Sequence, residues 1–143
     1  MALTITPYNH TARLFADGSF TPGDTYKVML LTTATFDASD AILADITYSE
    51  IAGSYGYTSG GVALTSVDVT TVTTNDAKFD ADDSTWTASG GNIAADYAIM
   101  YNETVTDSPP LVFIDFDGTE TAVDGTDFML VWNANGIFSW TVA

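Results

Sequence analysis

The chain has 143 residues, enough for one domain that buries its own core without a disulfide or metal staple. Nineteen acidic residues against three basic ones give a formal charge of −16, and Arg13, Lys27 and Lys78 alone cannot track nucleic-acid phosphates or hold an anionic membrane. Cysteine is absent, which excludes disulfides, thiolate zinc sites and a cysteine nucleophile.

The first residues, Met1 to His10, show neither the basic nor the apolar segment of a signal peptide. The aliphatic stretch around Val28 to Leu31 is too short to cross a bilayer. A chain made in the cytoplasm and staying soluble is expected. Leu3 to Tyr8 alternates apolar and polar residues, and two readings stand side by side. It is either the first strand of the domain or an N-terminal arm over residues 1–8. As an arm it would add to a neighbouring molecule as an edge strand through Leu3, Ile5 and Tyr8.

The remaining composition is that of an all-β domain. Thr, Val, Ile and aromatic residues are abundant, Glu occurs only at Glu50, Glu103 and Glu120, and Gly, Asn, Asp and Ser punctuate the chain at short intervals. Strands are predicted over His10–Ala16, closed by Asp17-Gly18, and over Tyr26–Thr33, entered through Pro22-Gly23-Asp24. Phe36–Gly53 breaks the pattern. Ala38, Ile42, Leu43 and Ile46 stand at helical spacing, and Thr47-Tyr48-Ser49-Glu50 has the form of a capping box, so short helical turns are expected in one long connection. Val62–Thr70 reads as a strand with a phase slip near Ser66. Ala77–Phe79 and Thr85–Thr87 flank the acidic turn Asp80–Asp83, and Ile93–Tyr101 and Leu111–Phe116 read as further strands. At the end, Phe128–Trp132 and Ile137–Val142 flank Asn133-Ala134-Asn135-Gly136, which predicts a β-hairpin with its first strand central in a sheet. The sum is a single β-sandwich domain, a two-sheet sandwich or jelly roll of about eight strands.

Few residues point to chemistry. His10 is the one histidine, and no Gly-x-Ser-x-Gly elbow accompanies it, so it reads as an ordinary polar residue rather than a general base. Paired carboxylates can hydrolyse glycosides, but most of these carboxylates fall in turns, where Asp bonds its own backbone. Calcium is the stronger chemical alternative. Asp80, Asp82 and Asp83 form one acidic group, and Asp115 and Asp117 with Glu120, Asp124 and Asp127 form another. Neither matches an EF-hand loop, and a solvated acidic loop is the simpler reading. Tyr55–Gly61 is rich in glycine but lacks the lysine of a phosphate cradle and reads as a flexible turn. Trp86, Trp132 and Trp140 would suit either a sugar-stacking platform or the core, and their place in strands favours the core. No catalytic residue, cofactor or metal ligand is assigned.

The turn-and-strand motifs form an ordered set. They run Val28–Asp40, Ser49–Gly53, Gly56–Gly61, Val72–Asp76, Phe79–Asp83 with Trp86–Ala88, and Trp132–Phe138. This set, spread over nearly the whole chain, resembles small virion structural proteins of tailed bacteriophages, nearest the jelly-roll capsid cement or decoration proteins. The resemblance implies a non-enzymatic protein on the outside of the virion capsid. Its partner would be the major capsid protein, and it would self-associate as a homodimer or homotrimer. The alternative is a phage tail or fibre appendage domain that binds a host-surface glycan.

Overall fold

A computed structural model describes residues 3–73 and 75–141, so that Met1 and Ala2 of the expected arm, Thr74 and Val142 lie outside the described residues. The eleven strands are β1 (Thr4–Pro7), β2 (Tyr26–Ala34), β3 (Tyr48–Glu50), β4 (Val62–Ala63), β5 (Asp68–Thr71), β6 (Ala77–Asp80), β7 (Ser84–Thr87), β8 (Ile93–Asn102), β9 (Pro110–Ala122), β10 (Asp127–Leu130) and β11 (Phe138–Trp140). One short helix, α1 (Thr11–Ala16), and a 3₁₀ turn at Leu43–Asp45 complete the described elements. The all-β sandwich expected from composition is what forms, with eleven strands where about eight were expected, because Val62–Thr70 divides in two and because Thr4–Pro7 and Tyr48–Glu50 form strands of their own. Among the described residues no helix is long and apolar enough to cross a membrane.

The strands make three antiparallel sheets. The large sheet runs β1-β9-β8-β2-β3, with β4 also paired to β2; the small ones are β10-β7 and β11-β6-β5. The centre of the large sheet is apolar on both faces. Tyr26, Val28, Leu30, Ala98, Met100, Val112, Ile114 and Phe116 point to one side, where they pack with Phe79, Trp86, Phe128, Leu130, Trp132 and Ile137 of the small sheets and their connections. Met29, Leu31, Ile99, Tyr101 and Phe113 point to the other, where Tyr8 and Ile46 cover them. The phase of β8 changes at a bulge between Ala95 and Tyr97, which lets Ile93 and Ala95 and then Ala98 and Met100 face the same core.

Four local expectations are corrected. His10–Ala16 is not a strand: Thr11–Ala16 is helical, and Gly18 at φ 80° follows it. Ala12, Arg13, Leu14 and Ala16 are good helix formers, and Leu14 and Phe15 pack together on the core, which a strand would not allow. Thr47–Glu50 does not cap a helix, because Tyr48–Glu50 pairs with β2; the helical turn of this connection is Leu43–Asp45, where the Asp45 carboxylate accepts the N–H groups of Ala41 and Ile42. The predicted strand Val62–Thr70 is split into β4 and β5 by Ser66, whose φ of 54° breaks the ladder.

The last hairpin also does not form. The Asn133–Gly136 turn closes, with Gly136 N–H on the Asn133 carbonyl at 2.8 Å and Asn135 N–H on the Asn133 side chain at 2.8 Å. Its two arms go to different sheets: β10 pairs with β7 and β11 pairs with β6. Strand β10 is therefore an edge rather than a central strand; its residue Met129 is 42% exposed, and Val131, just beyond it, is 57% exposed. The Asp80–Asp83 turn makes the same step between the same two sheets. Trp132 ties the two crossings together, since its backbone N–H reaches the Asp83 carboxylate at 2.8 Å and its indole N–H reaches the Asp82 carbonyl at 3.1 Å.

One polar hub lies inside this packing. Asn102 is fully buried; its amide donates to the Asp24 carboxylate at 2.9 Å and its carbonyl accepts the N–H groups of Thr104 and Val105. Burial alone would raise the Asp24 carboxyl, but bonds from Thr21 and Asn102 outweigh it and hold Asp24 below its ordinary value. Replacing Asn102 by Ala orphans the N–H groups of Thr104 and Val105 and removes one of the bonds to the Asp24 carboxylate, which keeps those from Thr21. We expect a loss of roughly 2–3 kcal/mol at neutral pH, measured by urea unfolding. Because the folded-state pKa of Asp24 is depressed, its contribution is present above about pH 4 and is lost as pH falls through the folded value. The gap between wild type and Asn102→Ala should narrow in acid without closing, since the orphaned N–H groups remain.

Candidate functional site

The residues singled out for chemistry do not converge. His10 stacks on Tyr8 and its Nε2 lies 2.7 Å from the Pro110 carbonyl oxygen, a contact that fastens α1 to the start of β9. Asp80 pairs with Lys78 at 2.7 Å, Asp82 accepts Ser66 Oγ at 2.6 Å, and Asp83 accepts Trp132 N–H. In the second acidic group, Asp115 accepts Asp117 N–H, Asp124 accepts Gly90 N–H at 2.8 Å, and Asp127 accepts the Thr87 hydroxyl at 2.7 Å. Glu120 lies across from Ala95 in the β8–β9 ladder. Each of these bonded carboxylates is thus engaged inside the fold, in its own turn, across a ladder or in tying one turn to another. Among the described residues no three His, Asp or Glu side chains come together in a form that would hold a metal ion.

The glycine-rich segment is pinned rather than flexible. Glu50 accepts the Tyr57 hydroxyl at 2.6 Å and the Gly60 N–H; the Tyr57 oxygen in turn accepts Leu30 N–H at 3.0 Å, and Tyr101 donates to the Gly60 carbonyl at 2.7 Å. Burial and the Glu50 carboxylate raise the Tyr57 phenol well above its ordinary value, so it stays a donor. Gly61 sits at φ 82° with its α-carbon against β2, where a β-carbon would collide with the Val28 carbonyl oxygen. The segment is a strap across the edge of β2. Trp86 and Trp132 are buried, and Trp140 packs edge-on against Phe15 and Phe138, so the three tryptophans serve the core and its margin.

The interface residues expected from sequence are brought together in part. Strand β1 is paired antiparallel with β9, Thr4 opposite Asp115 and Pro7 opposite Val112, so the segment takes the first of its two readings and is a strand of its own sandwich. Tyr8 is buried in the second core with Phe36 tilted against it, and faces away from Leu3 and Ile5, which lie at the margin of the first core. Leu3 and Ile5 line a hollow of about 490 Å³ with Val131, the Asn133–Gly136 turn, Ile137 and Ser139. No charged side chain lines it.

Its position follows from the sheet order. Among the described residues β1 pairs only with β9 and β11 pairs only with β6, so each is the edge of its sheet. The hollow lies between them, along an open flank of the sandwich. Sequence reasoning reached Leu3 and Ile5 through their alternation and missed Val131, Ile137 and Ser139. Their place depends on the two arms of the last turn separating, which no local pattern signals. A second hollow of about 310 Å³, lined by Phe15, Phe20, Val69 and Trp140 among others, lies on the other side of β11.

The charge around these features is one-sided. All three basic side chains are in ion pairs: Arg13 with Asp17 at 2.9 Å, Lys27 with Glu103 at 2.7 Å, and Lys78 with Asp80. Comparison of the chain with family models, with curated proteins and with solved structures finds no match.

The strap yields a direct test. Gly61→Ala combines a positive φ with a backbone collision, and should cost about 3 kcal/mol or more. Tyr57→Phe removes one bond to Glu50 and leaves Leu30 N–H buried and unpaired, and should cost roughly 1–2 kcal/mol. Chemical unfolding followed by tryptophan fluorescence checks both.

Proposed function

We propose that this protein is a bacteriophage capsid decoration protein, which binds the outside of the major capsid protein lattice and stabilises the shell. The observation that carries the reading is the open flank: two sheet edges meet at an uncharged hollow on an otherwise strongly anionic domain. Such a surface is built for attachment, and a high net charge keeps free copies soluble and apart before assembly. The ordered motifs from Val28–Asp40 to Trp132–Phe138, with their resemblance to phage cement proteins, supply the identity of the partner. The work is mechanical: each copy contributes modest energy, and repetition over the lattice multiplies it. Once copies are seated side by side on the lattice, self-association as a dimer or trimer at the symmetry axes, away from the open edges, suits that role.

The glycan-binding alternative draws no support from Trp86 and Trp132, which are buried. Copy number separates the two readings. Stained gels of purified particles should give hundreds of copies per virion, and an electron-microscopy map should place the domain on the outer shell. A few copies, or density confined to the tail, would overturn the capsid reading.

A further inference from the structure

We propose that the hollow between β1 and β11 receives an extended segment of the partner protein as an added strand, apolar at alternate positions and flanked by lysine or arginine. The inference rests on the attachment reading above and names the chemistry of the attached segment. It reverses the arm expectation: the N-terminal strand acts as the receiver of a strand rather than the donor of one.

Three observations carry it. First, β1 and β11 are both edges, and an edge strand presents unpaired N–H and C=O groups that another strand satisfies. Pro7 lacks an N–H, so the outer ladder of β1 is confined to the residues before it. Second, the hollow is uncharged and is lined by Leu3, Ile5, Val131 and Ile137 together with the polar residues Asn133, Asn135 and Ser139. Alternate side chains of an incoming strand would enter it. Third, the domain carries a formal charge of −16, and among the described residues all three basic side chains are already in ion pairs. A second copy, at −16, is repelled, whereas a segment with cationic flanks is drawn in.

The experiment uses the full chain, isotope-labelled, and a synthetic peptide of alternating valine and threonine with lysines at both ends. Titration should shift the backbone amides of Leu3–Thr6 and Ile137–Trp140 with a millimolar or tighter Kd. A peptide with glutamates in place of the lysines should bind at least tenfold more weakly. One with alternate backbone nitrogens methylated, keeping the side chains and losing main-chain donors, should lose binding. Val131→Lys, at an exposed position that the fold does not need, should weaken the lysine-flanked peptide at least tenfold while leaving the unfolding curve unchanged. Equal binding of the glutamate peptide, retained binding of the methylated one, shifts confined to other strands, or ultracentrifugation showing the edges buried in a homodimer would overturn the proposal. Its failure is separate from that of the capsid reading. Domains found on the shell with this flank facing solvent sink the strand-addition inference alone. Domains missing from the shell, with the peptide still binding, sink the capsid reading alone.

Discussion

The large sheet has no solvent face at its centre, and the rest of the molecule is arranged around that fact. Side chains of β2, β8 and β9 alternate between two cores, with Val28, Leu30, Met100 and Ile114 on one side and Met29, Leu31, Ile99 and Phe113 on the other. Each such side chain contributes about 1.5–3 kcal/mol when buried and withholds it when wet, so both faces need a cover. The small sheets cover one. The other is covered by the connection that follows β2, through Ile46, together with Tyr8 from the chain start. The long segment between β2 and β3, irregular in sequence, is thus a second lid and not a slack loop.

That double burial explains which parts of the fold can be read from the chain. The central strands announce themselves as near-continuous apolar runs, and Tyr26–Thr33, Ile93–Tyr101 and Leu111–Phe116 were all recognisable. Turns were recognisable too, because Asn-Gly and acidic clusters state their geometry locally. Pairing was not. The Asn133–Gly136 turn has the chemistry of a hairpin and the structure of a crossing, because Ala77–Asp80 and Ser84–Thr87 offer each arm a different partner. The outcome depends on contacts some fifty residues away, such as Asp83 with Trp132, which no window around the turn contains. The same holds for α1, where the apolar residues Leu14 and Phe15 fit either period until the Thr11 hydroxyl is seen to bond the Leu111 carbonyl. The candidate site was legible only as far as Leu3 and Ile5, since its other wall exists because the hairpin does not.

Charge sets the second constraint. A domain with 19 carboxylates and three cations repels itself, yet many of the carboxylates are used locally. Asp17 and Asp37 are held below their ordinary values, in both cases chiefly by Ser19 and Ser39 donating to them. These bonds fix turns and leave the negative field facing water. The domain stays folded because its carboxylates stabilise loops rather than crowd the core, and the excess charge is available for use between molecules.

An open flank with two strand edges is ordinarily an aggregation hazard, and proteins guard such edges with lysines, prolines or bulges. Here the edge strand β1 carries Pro7 at its end and no charge of its own, and β11 carries none either. The guard is the field of the whole domain. Identical copies approach edge to edge only against a net charge of −16 on each, so self-pairing is resisted although the ladder is geometrically open. The same field attracts a segment with cationic ends. One feature therefore serves both purposes: a surplus of carboxylates keeps the edges unpaired among equals and selects the partner for which they stay unpaired.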